Sequence, residues 1–305
     1  MKKLFIVTFI VLFELFLSNC RKPYPAAPAM PVQNQYITQW GSYGSGSGQF
    51  NEPYGIAIDN NGNIFVSDLN RIQKFNSANI YLTQWEDYLN DNLTVDNKGN
   101  VYVCEWNINS IYFYDNNGDN IINKIGSYGF NDGQFDNPAA ISVDNNGNIF
   151  VIDYFNYRVE KFNSAGTYID QWGSEGSGNG QFIFAQALAI DNYNYIYVVD
   201  VDNNRIEKFD NNGKYIIQWG GYGSGEGQFN TPVGIAIDIS GNIYVVDNGN
   251  NRIEKFDRSG TFISQWGVYG SGNEQFNNAM GIAVDNSGSV YVVDQGNDRI
   301  QKFSP

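Results

Sequence analysis

Gly234-Ile-Ala-Ile-Asp238, Asn242-Ile-Tyr-Val-Val246, Arg252-Ile-Glu-Lys-Phe256 and Phe262-Ile-Ser-Gln-Trp266 follow one another with only short turns between them. Each run is short and rich in β-branched and aromatic residues, the composition of a strand. The turns carry Asp, Asn, Ser and Gly, as in Asp257-Arg-Ser-Gly260, and these residues suit tight hairpins. The third run alternates apolar and polar residues, which predicts a half-buried strand with Lys255 facing solvent. Four antiparallel strands in one compact unit make a propeller blade.

The unit recurs. The Asp that ends the first strand stands at 59, 96, 144, 191, 238 and 285, and a second acidic residue follows at 68, 105, 153, 200, 247 and 294. Six copies are therefore present, the second one trimmed. The last copy stops at Arg299-Ile-Gln-Lys-Phe303, its third strand, while Tyr36-Ile-Thr-Gln-Trp40 precedes the first copy and reads as a fourth strand. The expected fold is all-β: a six-bladed β-propeller of four-stranded antiparallel blades, closed by the N-terminal strand joining the last blade. Closure removes the free ends of an open array.

Asn251-Arg-Ile-Glu-Lys-Phe-Asp257, Gln265-Trp-Gly267, Gln228-Phe-Asn230 and Pro232-Val-Gly-Ile-Ala236 together resemble the NHL repeat of six-bladed propellers, in its bacterial lipoprotein form. The resemblance covers about residues 35–305. The copy at about 85–125 departs, with Ser110 in place of Arg, Glu105 in place of Asp and Ile125 in place of Trp. The resemblance implies a platform for protein or RNA in some relatives and a lyase in others, so fold alone does not fix function.

Outside the repeats the chain reads as an address. Lys2 and Lys3 precede an apolar stretch from Leu4 to Leu17, the length of an export signal core. Leu17-Ser-Asn-Cys20 resembles a bacterial lipoprotein signal, in which Cys20 would be lipidated. Pro23, Pro25, Pro28 and Pro31 make the following stretch an extended tether. The expected organisation is a signal peptide at 1–19, a lipidated Cys and tether at 20–34, and a propeller at 35–305. Membrane contact is expected through the lipid alone, at the outer membrane or cell surface ahead of the inner membrane.

Composition limits the chemistry. The 305 residues hold no His, two Cys, and 18 Lys and Arg against 32 Asp and Glu, a net charge of −14. A strongly acidic chain is a poor match for nucleic acid. The absence of His removes the usual general base and the usual zinc ligand. Asp59-Asn-Asn-Gly-Asn63 and Asp144-Asn-Asn-Gly-Asn148 superficially resemble calcium loops, but they lack the later Glu and read as turns. No cofactor is expected, with a structural Ca²⁺ as the alternative.

The repeated side chains read as structure. Trp40, Trp85, Trp172, Trp219 and Trp266 fit packing between blades. Arg71, Arg158, Arg205, Arg252 and Arg299 each follow an acidic residue and fit a repeated ion pair. Cys104 aligns with small or apolar residues and fits a buried position.

Two places break the repeat. Trp106 sits just past a second strand, and Tyr154, Phe155 and Tyr157 occupy the equivalent loop of the third blade. They form a candidate contact rim, with local packing around the trimmed blade as the alternative. By alignment, Tyr54, Asp91, Ala139, Gln186, Val233 and Met280 point at the channel mouth, and Tyr54, Asp91, Gln186 and Met280 are its candidate binding residues. Tyr43, Tyr128, Tyr222 and Tyr269 stand on the Gly-rich loops of the same face. The set suits docking better than catalysis. The expected function is a membrane-tethered, non-catalytic binding or scaffold module, with an envelope or extracellular protein as partner. The alternatives are a glycan or small-ligand module and a Ca²⁺-dependent hydrolase or lyase.

Overall fold

In the computed structural model, residues 34–86 and 92–305 are described. The expected signal peptide at 1–19, Cys20 and the tether up to residue 33, and Asp91 lie outside them. The described chain forms six four-stranded antiparallel sheets. The third blade shows the order: Pro138–Val143, Ile149–Asp153, Arg158–Phe162 and Tyr168–Trp172, each strand paired with the next. The trimmed second blade keeps all four strands, but its inner one shrinks to Leu93–Val95. The sixth blade takes its outer strand from the other end of the chain. Tyr36–Trp40 pairs antiparallel with Arg299–Phe303, Tyr36 opposite Phe303 and Trp40 opposite Ile300. Closure is thus as the repeat phasing predicts.

The core lies between the blades. One apolar cluster joins Phe150, Ile152 and Val159 of the third blade to Leu188, Val198 and Phe209 of the fourth, and equivalent clusters fill the other junctions. The tryptophans belong to these junctions. Trp172 meets Phe150 in its own blade and Phe209 in the next, with ring centroids 6.2 and 5.9 Å away. Trp219 bridges Tyr197 and Phe256 in the same way. Gly213 has φ 75° in the neighbouring hairpin, and a Cβ there would run into the Trp172 ring at 2.5 Å. The indole therefore requires glycine at that turn.

The third strands correct one expectation. Arg158–Phe162, Arg205–Phe209 and Arg252–Phe256 are buried at every position, not half-buried. Both faces of these strands are covered by neighbouring blades, so the polar side chains find partners inside. Lys74, Lys161, Lys208 and Lys255 are buried as well, not solvent-facing. Lys208 Nζ sits 4.4 Å from the Tyr195 ring centroid and donates to the Arg258 carbonyl in the next blade. Lys161 donates to the Asn211 carbonyl at 2.7 Å. The aliphatic stem packs while the ammonium reaches the hairpin of the following blade.

The arginines behave as expected and do more. Arg205 Nε donates to Asp200 Oδ2 at 2.8 Å, Nη1 to Gln218 Oε1 and the Ser177 carbonyl, and Nη2 to the Gly178 and Gln181 carbonyls. The planar fork thereby pins the Gly-rich loop to the blade. Arg252 and Arg299 repeat the pattern, and Arg299 reaches Gln39 of the closing strand at 2.6 Å. Asp59 and Asp144 accept backbone N–H bonds within their own turns, as the turn reading requires. Cys104 is buried.

Candidate functional site

The loops that Arg pins and the turns between second and third strands share one face of the ring. On that face the inner strands leave a cavity of about 400 Å³ at the channel mouth. Tyr54, Asn92, Trp106, Tyr154, Gln186 and Met280 are among its lining residues. Two sets that the sequence treats separately therefore meet: Trp106 and Tyr154 from the rim, and Tyr54, Gln186 and Met280 from the mouth. Gln186 Nε2 donates to the Tyr54 hydroxyl at 2.7 Å, a bond between the fourth and first blades, on opposite sides of the ring. Ala139 lines the cavity too, whereas Val233 lines the channel beneath it. That channel is narrow, about 190 Å³, and is walled largely by inner-strand residues such as Ala187, Ala189, Gly234 and Gly281.

Trp106 begins a single 3-10 turn, Trp106–Ile108, directly after the second strand. That position leaves the indole 41% exposed, enough to offer a ring face. Tyr154, Phe155 and Tyr157 do cluster, around a residue the sequence reading overlooks. Phe184 stacks on Tyr154 with centroids 5.0 Å apart and planes 19° apart, and it also contacts Phe155 and Tyr157. Phe155 and Tyr157 stay on the rim outside the cavity lining. Burial pushes the Tyr154 hydroxyl pKa up, and the Asp202 carboxylate adds to the shift, so this hydroxyl keeps its proton.

The backbone at the rim sets Phe184 apart. It stands at φ 58°, and the equivalent residues Glu52, Asn137, Thr231 and Asn278 lie between 54° and 64°. The repeat imposes this left-handed conformation on whichever residue falls there. Tyr157 is similar, at φ 55° where the other blades place Asn109, Asn204, Asn251 and Asp298. Bulky side chains rarely take this conformation, while Asn and Asp take it easily. Two aromatics at adjoining strained positions mark the rim as a departure from structural need. Tyr43, Tyr128, Tyr222 and Tyr269 ring the periphery at 60–76% exposure.

Among the described residues no group of three or more His, Cys, Asp or Glu could hold a metal ion, and no helix is long and apolar enough to cross a membrane. The mouth offers amides, hydroxyls and aromatic faces, a set suited to binding by hydrogen bonds and stacking.

Comparison with known proteins agrees with the architecture. The family described as NHL repeat matches residues 229–256 and 276–303, and the family described as 6-bladed beta-propeller matches 135–210. Protein brain tumor of Drosophila melanogaster is 29% identical over 156 residues, 47% of this chain. The chain spans 14% of that relative's length. A structural genomics protein of unknown function from Bacteroides thetaiotaomicron superposes with a TM-score of 0.70 at 19% identity, over 90% of this chain and 76% of the other. A streptogramin B lyase gives 0.63 at 17% identity over 89% and 98%. A gluconolactonase from Xanthomonas campestris gives 0.64 at 14% over 93% and 99%. At these identities the likenesses concern the fold alone. Repeat phasing, blade order and these matches together identify the chain as a six-bladed β-propeller that carries NHL repeats at residues 229–256 and 276–303.

Proposed function

We propose that this chain is a non-catalytic binding module, exported and tethered to the cell envelope through Cys20, that engages a protein partner with the rim and mouth of its loop face. The observation that carries the reading is the aromatic rim. Tyr154, Phe155, Tyr157 and Phe184 form one contiguous cluster beside the exposed Trp106, with Tyr157 and Phe184 held in a left-handed backbone conformation that bulky residues rarely take. Aromatic residues of this kind anchor protein contacts. The signal, Cys20 and the Pro-rich tether supply the address from sequence alone.

The absence of His supports a non-catalytic role. The virginiamycin B lyase of Staphylococcus aureus, which shares the fold at 17% identity, is catalytically inactive when one of its histidines becomes alanine. This chain has no His to serve that part. The reading assigns no cofactor.

The test is capture from solubilised native envelope on the immobilised full chain, run beside a Trp106→Ala/Tyr154→Ala/Phe184→Ala variant. A protein retained by the parent and lost by the variant is the expected result. Equal retention by both, or turnover of a lactone or amide substrate by the purified chain, would overturn the reading.

A further inference from the structure

The mouth cavity has a more definite chemistry than the face around it. Its described lining contains no Asp, Glu, Lys or Arg, on a chain whose net charge is −14. Four side-chain amides line it instead: Asn92, Asn137, Gln186 and Gln295. Much of their capacity is unspent. Among the described residues, no hydrogen bond engages the side-chain amides of Asn92 or Asn137. Gln186 uses its Nε2 on Tyr54, and Gln295 uses its Oε1 on Asn278. Each amide carries both donors and an acceptor, and Gln186 Oε1 and Gln295 Nε2 remain to be matched. Beside them stand the Trp106 and Tyr154 rings and the apolar Pro138, Ala139 and Met280.

This combination discriminates among ligands. An ion would leave its hydration with no counter-charge in the described lining. A purely apolar ligand would strip water from the amides and give nothing back. A sugar ring satisfies both halves: its C–H faces stack on aromatic rings, and its hydroxyls both donate and accept. The Tyr54–Gln186 bond fixes two of the groups before any ligand arrives, which lowers the ordering cost of binding.

We propose that the channel mouth is a binding site for a neutral saccharide ring, stacked against Trp106 or Tyr154 and hydrogen-bonded by the amides of Asn92, Asn137, Gln186 and Gln295. The inference rests on the binding-module reading and names a ligand class for one part of that face. The saccharide is a free sugar or the uncharged end of a glycan, and the two sources are separable by experiment.

The full chain, held in a detergent without a sugar headgroup, is applied to an array of neutral and charged glycans. Free neutral hexoses, a hexose phosphate and a hexuronic acid are then titrated by calorimetry. The expected result is binding of neutral glycans or hexoses, with the phosphate and the uronic acid at least about tenfold weaker. Trp106→Ala loses on the order of tenfold in affinity, Trp106→Phe recovers most of it, and Tyr222→Ala, on a peripheral loop, changes nothing. Array binding without hexose binding assigns the source to a glycan end. Binding of no neutral saccharide, equal binding of charged ones, or indifference to Trp106→Ala overturns the proposal. Loss of envelope-protein capture in the rim variant, together with a silent array, would sink the saccharide and leave the protein-binding module standing.

Discussion

Blades one and six differ from blades three, four and five at one buried atom. In the first and sixth, the third strand carries Gln73 and Gln301. Gln73 Nε2 donates to Asp68 Oδ2 at 3.1 Å and to the Gln49 carbonyl at 2.7 Å, while its Oε1 accepts the Gly48 N–H. Gln301 donates to Asp294 and the Gln275 carbonyl in the same way. In the other three blades the residue is Glu160, Glu207 or Glu254, fully buried. Glu207 Oε1 accepts the Gly180 N–H and lies 3.2 Å from Arg205 Nη2, but Oε2 is buried without a hydrogen-bond partner. By the glutamine pattern, that oxygen faces a carboxylate and a carbonyl, both acceptors. Only a protonated acid can donate there as the amide does.

The electrostatics run the same way. Burial pushes the Glu160 carboxyl up to about 8 and those of Glu207 and Glu254 up to about 7. The adjoining arginines pull each one down. Asp153 and Asp132 push Glu160 up, Asp200 pushes Glu207, and Asp247 and Glu226 push Glu254. A carboxyl whose pKa rises on folding stabilises most below its unfolded value near 4.5. That contribution fades as pH climbs through the folded value. Three blades thus carry a pH dependence that two blades avoid with an amide.

The comparison can be broken at several strengths. Deleting residues 35–40 removes the outer strand of blade six and the Gln39 partner of Arg299. The ring should fail to close, with loss of the cooperative melting transition; an unchanged Tm would refute closure. Arg205→Ala in a glutamate blade leaves two buried carboxylates facing each other, and Arg299→Ala in a glutamine blade leaves one. Each should cost about 3–5 kcal/mol at pH 8. The Arg205 variant should recover markedly at pH 5.5, and the Arg299 variant much less, in parallel urea titrations.

Changing Glu160, Glu207 and Glu254 together to Gln should raise stability at pH 8.5, by a few kcal/mol at most, and leave it nearly unchanged at pH 4.5. The parent should lose stability between about pH 4.5 and 8, and the variant should lose less. Equal pH profiles would mean that the glutamates are ionised in the fold. At the smallest scale, Tyr157→Asn relieves a strained backbone and should stabilise by up to about 1 kcal/mol. The same change should weaken partner capture, the trade expected when a residue is kept for contact. Added Ca²⁺ should leave the Tm of the parent unmoved.

Much of this was legible in the sequence because a repeat is its own alignment. Six spaced Asp residues gave the blade number, and a missing fourth strand at one end matched a spare one at the other. The Arg–Asp pair and the bridging Trp were visible as fixed positions. Burial of the third strand was not, because alternation looks the same whether one face meets water or a neighbouring blade. Lys255 therefore reads as solvent-facing until the adjoining blade is in place. Phe184 escaped for another reason. It falls one residue before the inner strand, where no repeated side chain draws the eye, and its meaning lies in a φ angle. That rim and mouth share one cavity is a fact of ring geometry, which joins residues 54, 106, 154, 186 and 280 across four blade junctions.

The closing strand has a consequence for biogenesis. Gln39 and Arg299 are 260 positions apart, so the first strand made is the last to be placed. At ordinary rates of synthesis the wait lasts on the order of tens of seconds. Throughout it, blade six lacks its outer strand and Tyr36–Trp40 has no partner. An export route that delivers the chain unfolded would move that wait across the membrane, and late truncations would then expose an open edge in the envelope, where proteolysis or aggregation would report it.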